Sequence, residues 1–316
     1  MLSIEKIEQN KELSLVIAVI LGILVFATVL FFIWGKIKPE ANLKELKART
    51  RSWWIMAGIF ITATLVNTIV SFIAFTFLSI FAFKELTSIS RTTRVCDKNI
   101  ISWGYAAIPV QYFFAYMGWY EAFLIFIPVF MTFFLTFLIV KKGVIKHISI
   151  SMAVIPMQLM LCVYGISHLA YLLSLSELQG FKPGGRGLLL FVVFITEMND
   201  VFQFTWGKFL GKRKVIPLVS PNKTWEGLIG GVITTTVVGY FLRFLTPLNG
   251  VESIVVSFVV ACVGFAGDIM VSAIKRDIGV KDMGSVIPGH GGILDRIDSL
   301  ALTAPIFFHI LYFLKY

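Results

Sequence analysis

The 27 residues from Ser272 to Asp298 carry eight charged side chains and His290, although apolar runs lie on both sides. Asp268, Ser272 and Lys275 are spaced i, i+4, i+7, so a helix presents them on one face at its end. After the turn Pro288-Gly289-His290-Gly291-Gly292 a second helix is expected, with Asp295 and Asp298 as i, i+3 neighbours in its first turns. Two carboxylates so placed suit a hard cation, and Mg²⁺ takes one or two carboxylates with waters and substrate phosphates. The glycines around His290 let backbone amides approach a phosphate, and the following helix N-terminus favours negative charge. Lys275, Arg276, Lys281 and Arg296 supply the countercharge for a polyphosphate. This pattern predicts metal-assisted phosphoryl or nucleotidyl chemistry on a membrane-embedded substrate.

A second polar cluster runs from Asn199-Asp200 through Gly207–Lys214 to Ser220-Pro221-Asn222-Lys223-Thr224-Trp225-Glu226-Gly227. Ser220 and Pro221 read as an N-cap and first-turn pair opening the next helix. Lys223 and Thr224 then stand at a helix N-terminus, a second place for phosphate. Lys212-Arg213-Lys214, taken alone, reads as a topology determinant, and Gly227-Leu228-Ile229-Gly230-Gly231 as close helix packing. His147, His168 and His309 read as interfacial or core residues. Glu197 is open between a bundle carboxylate and a site residue.

These residues need elements to hold them. With 316 residues, 57% hydrophobic and 15% charged, and a mean hydropathy of +0.85, the chain belongs in a bilayer. Runs such as 13–34, 119–140 and 252–273 reach the roughly 20 residues that cross about 30 Å of hydrocarbon as helix. The expected fold is an all-α, polytopic transmembrane helical bundle of about ten spans (nine to ten). Residues 53–83 read as two short helices meeting near Asn67-Thr68, each only about 21–23 Å long and so needing a thinned bilayer or a hairpin inside the bundle. Two helices there put all the basic loops on one side, with 22 of the 28 Lys and Arg expected in the cytoplasm and both termini outside. This placement accounts for the net charge of +10 without nucleic acid. The first run reads as a retained helix rather than a signal peptide. Cys96, Cys162 and Cys262 lack CxxC spacing and read as ordinary thiols, neither disulfide framework nor zinc site. Residues 1–48 are expected to be an added helix and basic loop, and 49–316 one membrane domain with its catalytic region at 197–300.

The pattern Ser272-x2-Lys275-Arg276-x4-Lys281-Asp282-x-Gly284-x3-Pro288-Gly289-His290-Gly291-Gly292-x2-Asp295-Arg296-x-Asp298 resembles the long motif of the phosphatidate cytidylyltransferase (CDP-diacylglycerol synthase) family. Ser220–Gly227 resembles that family's second conserved stretch, so the resemblance covers roughly 197–300. It implies that CTP and phosphatidate give CDP-diacylglycerol and pyrophosphate, or that another lipid phosphate gives its own CDP-lipid, with Mg²⁺ and room for a second cation such as K⁺. By position it implies Asp268, Asp295 and Asp298 at the metal, with Lys275, Arg276 and Arg296 completing the catalytic set. Asp200, Ser220, Lys223, Thr224, Glu226, Lys281, Asp282, His290, Gly291 and Gly292 are the implied substrate-binding set. It further suggests contact with membrane lipids and a homodimer, while the short loops suit a bacterial inner (plasma) membrane and the basic loops an active site facing the cytoplasm. Gln203-Phe204 departs from the family pattern, which has a small residue and then Tyr after Asn199-Asp200. The rival readings are a CTP-using enzyme acting on another lipid acceptor, including a lipid-alcohol kinase, and more distantly an ion-coupled transporter.

Overall fold

The computed structural model describes residues 11–37, 44–90, 98–143, 148–176, 178, 181–284 and 291–316; Cys96, His147 and His290 therefore lie outside the described residues. A chain in hydrocarbon must satisfy its backbone N–H and C=O groups within the segment, and these apolar runs do so as helices. In chain order they are α1 (Lys11–Ile37), α2 (Lys44–Val66), α3 (Thr68–Ile89), α4 (Lys98–Met117), α5 (Tyr120–Lys141), α6 (Ile148–Leu172), α7 (Gly184–Leu210), α8 (Trp225–Phe241), α9 (Gly250–Ile278), the short α10 (Leu294–Ile297) and α11 (Leu300–Lys315). Between α7 and α8 lies an antiparallel hairpin, β1 (Lys214–Ile216) with β2 (Ser220–Thr224). The molecule is an all-α polytopic bundle, and this hairpin is the only sheet among the described residues.

The division at Asn67 is as expected. Its side chain accepts a hydrogen bond from the Ile69 amide at 3.0 Å and starts a new helix. The two helices are not short, however: α2 has 23 residues and α3 has 22, because both continue past their apolar stretches through Lys44–Arg51 and Lys84–Ile89. At about 1.5 Å per residue each is about 33–35 Å long, charged ends included. Eight helical stretches are long and apolar enough to cross a membrane among the described residues. Of the expected ten, α2 and α4 fall outside that set, α2 for its charged first turns and α4 for polar residues such as Asn99 and Gln111. Pro128 lies inside a π-helical turn of α5, and Pro156 lies four residues before one in α6, where a missing N–H breaks the regular ladder.

α7, α8, α9 and α11 pack on one another, and this group carries the polar residues singled out above. Lipid tails are as apolar as these helices, so close approach and interhelical hydrogen bonds hold them together. A Cβ at Gly231 would collide with the Gln203 side chain, and one at Gly230 with the Trp206 ring, so 227–231 is a packing stripe against α7. Asn199 pins three helices, donating to the Ala261 carbonyl at 3.0 Å and accepting from Thr235 at 3.1 Å. Phe191 and Phe307 fill the adjoining core, whereas Phe204 and Phe241 point outward to the space a bilayer fills.

Candidate active site

α9 starts at a capping box, Asn249 with Glu252, and ends at Gly279, whose φ of +85° closes the helix. Its 29 residues span about 43 Å, and the 27 of α7 about 40 Å, both longer than the hydrocarbon core. Asp200 and Asp268 each lie ten residues before the end of their helix, hence about 15 Å inward along it.

Lys223 is the hub. Its ammonium lies 2.6 Å from Asp268 and 3.8 Å from Asp200, donates to the Gln203 side-chain oxygen at 3.1 Å, and faces the Phe265 ring. Burial opposes its charge, but the Asp268 and Asp200 carboxylates outweigh that and hold it above the ordinary lysine value. Around this hub Ser272 donates to Asp268 at 3.2 Å, Ser299 donates to Asp200 at 2.9 Å, and Asp298 is buried against the Ser299 amide. Glu197 and Arg296 feel the same field, Glu197 beside Asp200 and Asp298, and Arg296 beside Glu197 and Asp200.

The hairpin sets Lys223 in place. The next helix is capped by Thr224, whose hydroxyl accepts from the Gly227 amide at 3.1 Å, and not by Ser220. Ser220 and Pro221 instead belong to β2, with Ser220 opposite Ile216, because Pro is compatible with an edge strand as well as with a helix start. Glu226 accepts from the Lys212 and Arg213 amides at 3.0 and 3.2 Å, closing the hairpin base. Arg276 donates to the Val219 carbonyl at 3.2 Å, tying the hairpin tip to the end of α9.

Asp295 has a different setting. One oxygen pairs with Lys275 at 2.9 Å, and the other accepts from the amides of Met283 (2.8 Å) and Gly292 (2.9 Å). Gly291, at φ +80°, lies against Asp295 and Asp282 with no room for a side chain. Lys281 and Asp282 are exposed just beyond the α9 cap. Three residues of this site were not predicted as contacts. Gln203 meets Lys223, Ser299 meets Asp200, and Glu85, from α3, accepts from the Leu294 amide at 2.8 Å. A carboxylate near the end of an otherwise apolar span was the available signal for Glu85.

Among the described residues the carboxylates Glu197, Asp200, Asp268, Asp295 and Asp298 share this region with only Lys223, Lys275 and Arg296 as near cations. One Asp200 oxygen is buried with no hydrogen-bond partner among the described residues. Such surplus negative charge beside a bilayer fits a divalent cation. No three acidic, His or Cys side chains among the described residues are grouped to hold a metal alone, so waters and substrate oxygens would complete its shell.

Comparison with known proteins agrees with this chemistry. The model of the cytidylyltransferase family matches residues 47–314. The chain is 38% identical over 308 residues to the uncharacterized protein YnbB of Escherichia coli, covering 95% of this chain and 97% of that protein. It is 41% identical over 135 residues to the phosphatidate cytidylyltransferase of Haemophilus influenzae, 41% of this chain and 47% of that protein. It is 36% identical over 148 residues to the phosphatidate cytidylyltransferase of Aquifex aeolicus, 47% of this chain and 54% of that protein. These last two alignments thus span about half of each relative. The chain belongs to the cytidylyltransferase family and is a membrane-embedded nucleotidyltransferase.

Proposed function

We propose that the protein transfers the cytidylyl group of CTP to phosphatidate, forming CDP-diacylglycerol and pyrophosphate. The observation that carries this reading is the half-buried Lys223, held between Asp268 and Asp200 amid a surplus of carboxylates. A lipid phosphate is already anionic, so its oxygen attacks the α-phosphorus without a strong general base. The new P–O bond forms as the bond to the β-phosphate oxygen breaks, and pyrophosphate leaves with that electron pair. Catalysis then consists of bringing two anions into line and screening them.

Lys223 is placed to neutralise the reacting phosphates, and Lys275 and Arg296 to screen from the α9 and α10 side. Arg276 and Lys281, nearer the surface, suit the leaving pyrophosphate. Asp268 and Asp298 would contribute carboxylate oxygens to Mg²⁺, with waters and substrate oxygens completing its shell, and the ion supplies charge stabilisation of the phosphoryl oxygens when bound. In this reading Asp295 supports that set through Lys275 and the glycine amides. K⁺ is the second cation we propose to test. The basic loops favour a cytoplasmic active site in a bacterial inner membrane. The test is pyrophosphate release by purified protein in detergent with CTP, Mg²⁺ and phosphatidate, with ATP and diacylglycerol as controls. Release requiring both CTP and phosphatidate supports the proposal. Release with a different lipid phosphate moves the acceptor, and formation of CDP from diacylglycerol makes the protein a kinase.

A further inference from the structure

Glu85 comes from α3, remote in sequence from every motif above, yet its carboxyl lies inside the glycine segment. One oxygen accepts from the Leu294 amide at 2.8 Å, at the first residue of α10. A Cβ built on Gly284 or Gly292 would collide with the Glu85 carboxyl, so both glycines lie directly against it. Across the same backbone Asp295 accepts from the Met283 and Gly292 amides and from Lys275. Two carboxylates thus hold one short stretch of chain from opposite sides, Asp295 from within the segment and Glu85 from another helix. The second Glu85 oxygen is buried and has no hydrogen-bond partner among the described residues.

We infer that Glu85 is a positioning residue: it sets the backbone of Gly291, Gly292 and Leu294 so that the Gly292 amide and Lys275 stay paired with Asp295 where the nucleotide's phosphates bind. This inference rests on the proposed use of CTP. Small displacements at a reacting centre are costly, because alignment supplies much of the rate. A packing role alone would lower stability throughout the protein. A positioning role acts on one segment and on one substrate.

The test uses the full-length protein in detergent with Glu85→Leu, which keeps the bulk but removes both acceptors, and Glu85→Gln, which keeps one. Amide hydrogen exchange of peptides covering 291–297 is measured beside steady-state kinetics. E85L is expected to exchange about tenfold faster there and not in α7 or α8. Its KM for CTP is expected to rise about tenfold while the KM for lipid stays within about twofold. E85Q should fall between E85L and the unmodified protein on both measures. Wild-type exchange and an unchanged KM for CTP in E85L would overturn the inference, and so would faster exchange spread evenly over the whole protein. If the unmodified protein shows no CTP-dependent turnover, the proposed function fails, and the exchange measurement alone decides whether Glu85 positions the segment.

Discussion

Two regions of this bundle bury polar groups, and they do so differently. In the region formed by α3–α6, Glu85 apart, the polar residues buried between helices are neutral and embedded among rings. His168 shares a 2.7 Å hydrogen bond with the Tyr164 carbonyl, which fixes the proton on Nδ1, and it packs edge-on against Phe123, Tyr164 and Phe308. Gln111 donates to the Phe123 carbonyl and the Ser167 hydroxyl, and Ser79 meets Tyr112 at 2.7 Å. In the region formed by α7–α11 the polar groups are charged, converge from four elements and leave negative charge over. Buried polarity alone therefore does not mark a site. What marks one is charge that the protein leaves unbalanced, since a membrane protein retains it only where a ligand or ion completes it.

The contrast is broken most severely by Lys223→Ala, which leaves Asp200 and Asp268 facing each other without their shared cation. Loss of turnover by about 1,000-fold is expected in the pyrophosphate assay, with membrane insertion intact. Asp268→Asn should follow, with a loss of about 100-fold and a raised Mg²⁺ requirement in a metal titration. Asp295→Asn offers one oxygen where three donors now meet two, so turnover should also fall about 100-fold. It should additionally speed amide exchange at Gly292. Asn199→Ala removes a bridge among α7, α8 and α9 and leaves the buried Thr235 hydroxyl without its acceptor. It should cost about 1–3 kcal/mol, read as a lower melting temperature in detergent. His168→Phe tests the other side of the comparison: stability should change by no more than about 1 kcal/mol, with kcat unaltered.

The sequence made some of this legible and not the rest, for physical reasons. The break at Asn67 and the shared face of Asp268, Ser272 and Lys275 follow from local chemistry and helical spacing, and both are present. Lys275, however, meets Asp295, and Asp268 meets Lys223, because the partner of a charge depends on how distant elements pack. The hairpin escaped notice because strands of three and five residues are too short for a periodic signal. Ser220-Pro221 carries a helix-start signature that tertiary pairing overrides. The lengths of α2 and α3 were underestimated because apolar runs mark hydrocarbon, whereas helices continue into water where charged residues still form them. Glu85 lies 209 residues from Leu294, a contact that no local pattern encodes.

The central claim is that the unbalanced carboxylate and lysine cluster joins the α-phosphate of CTP to a lipid phosphate. The most direct measurement supplies purified protein with phosphatidate, Mg²⁺ and CTP labelled at either the α or the γ phosphorus, and then extracts the lipid. The account predicts α label in the lipid fraction, γ label in pyrophosphate, and neither transfer with Lys223→Ala. Recovery of γ label in lipid, or α-label transfer undiminished in Lys223→Ala, would contradict it.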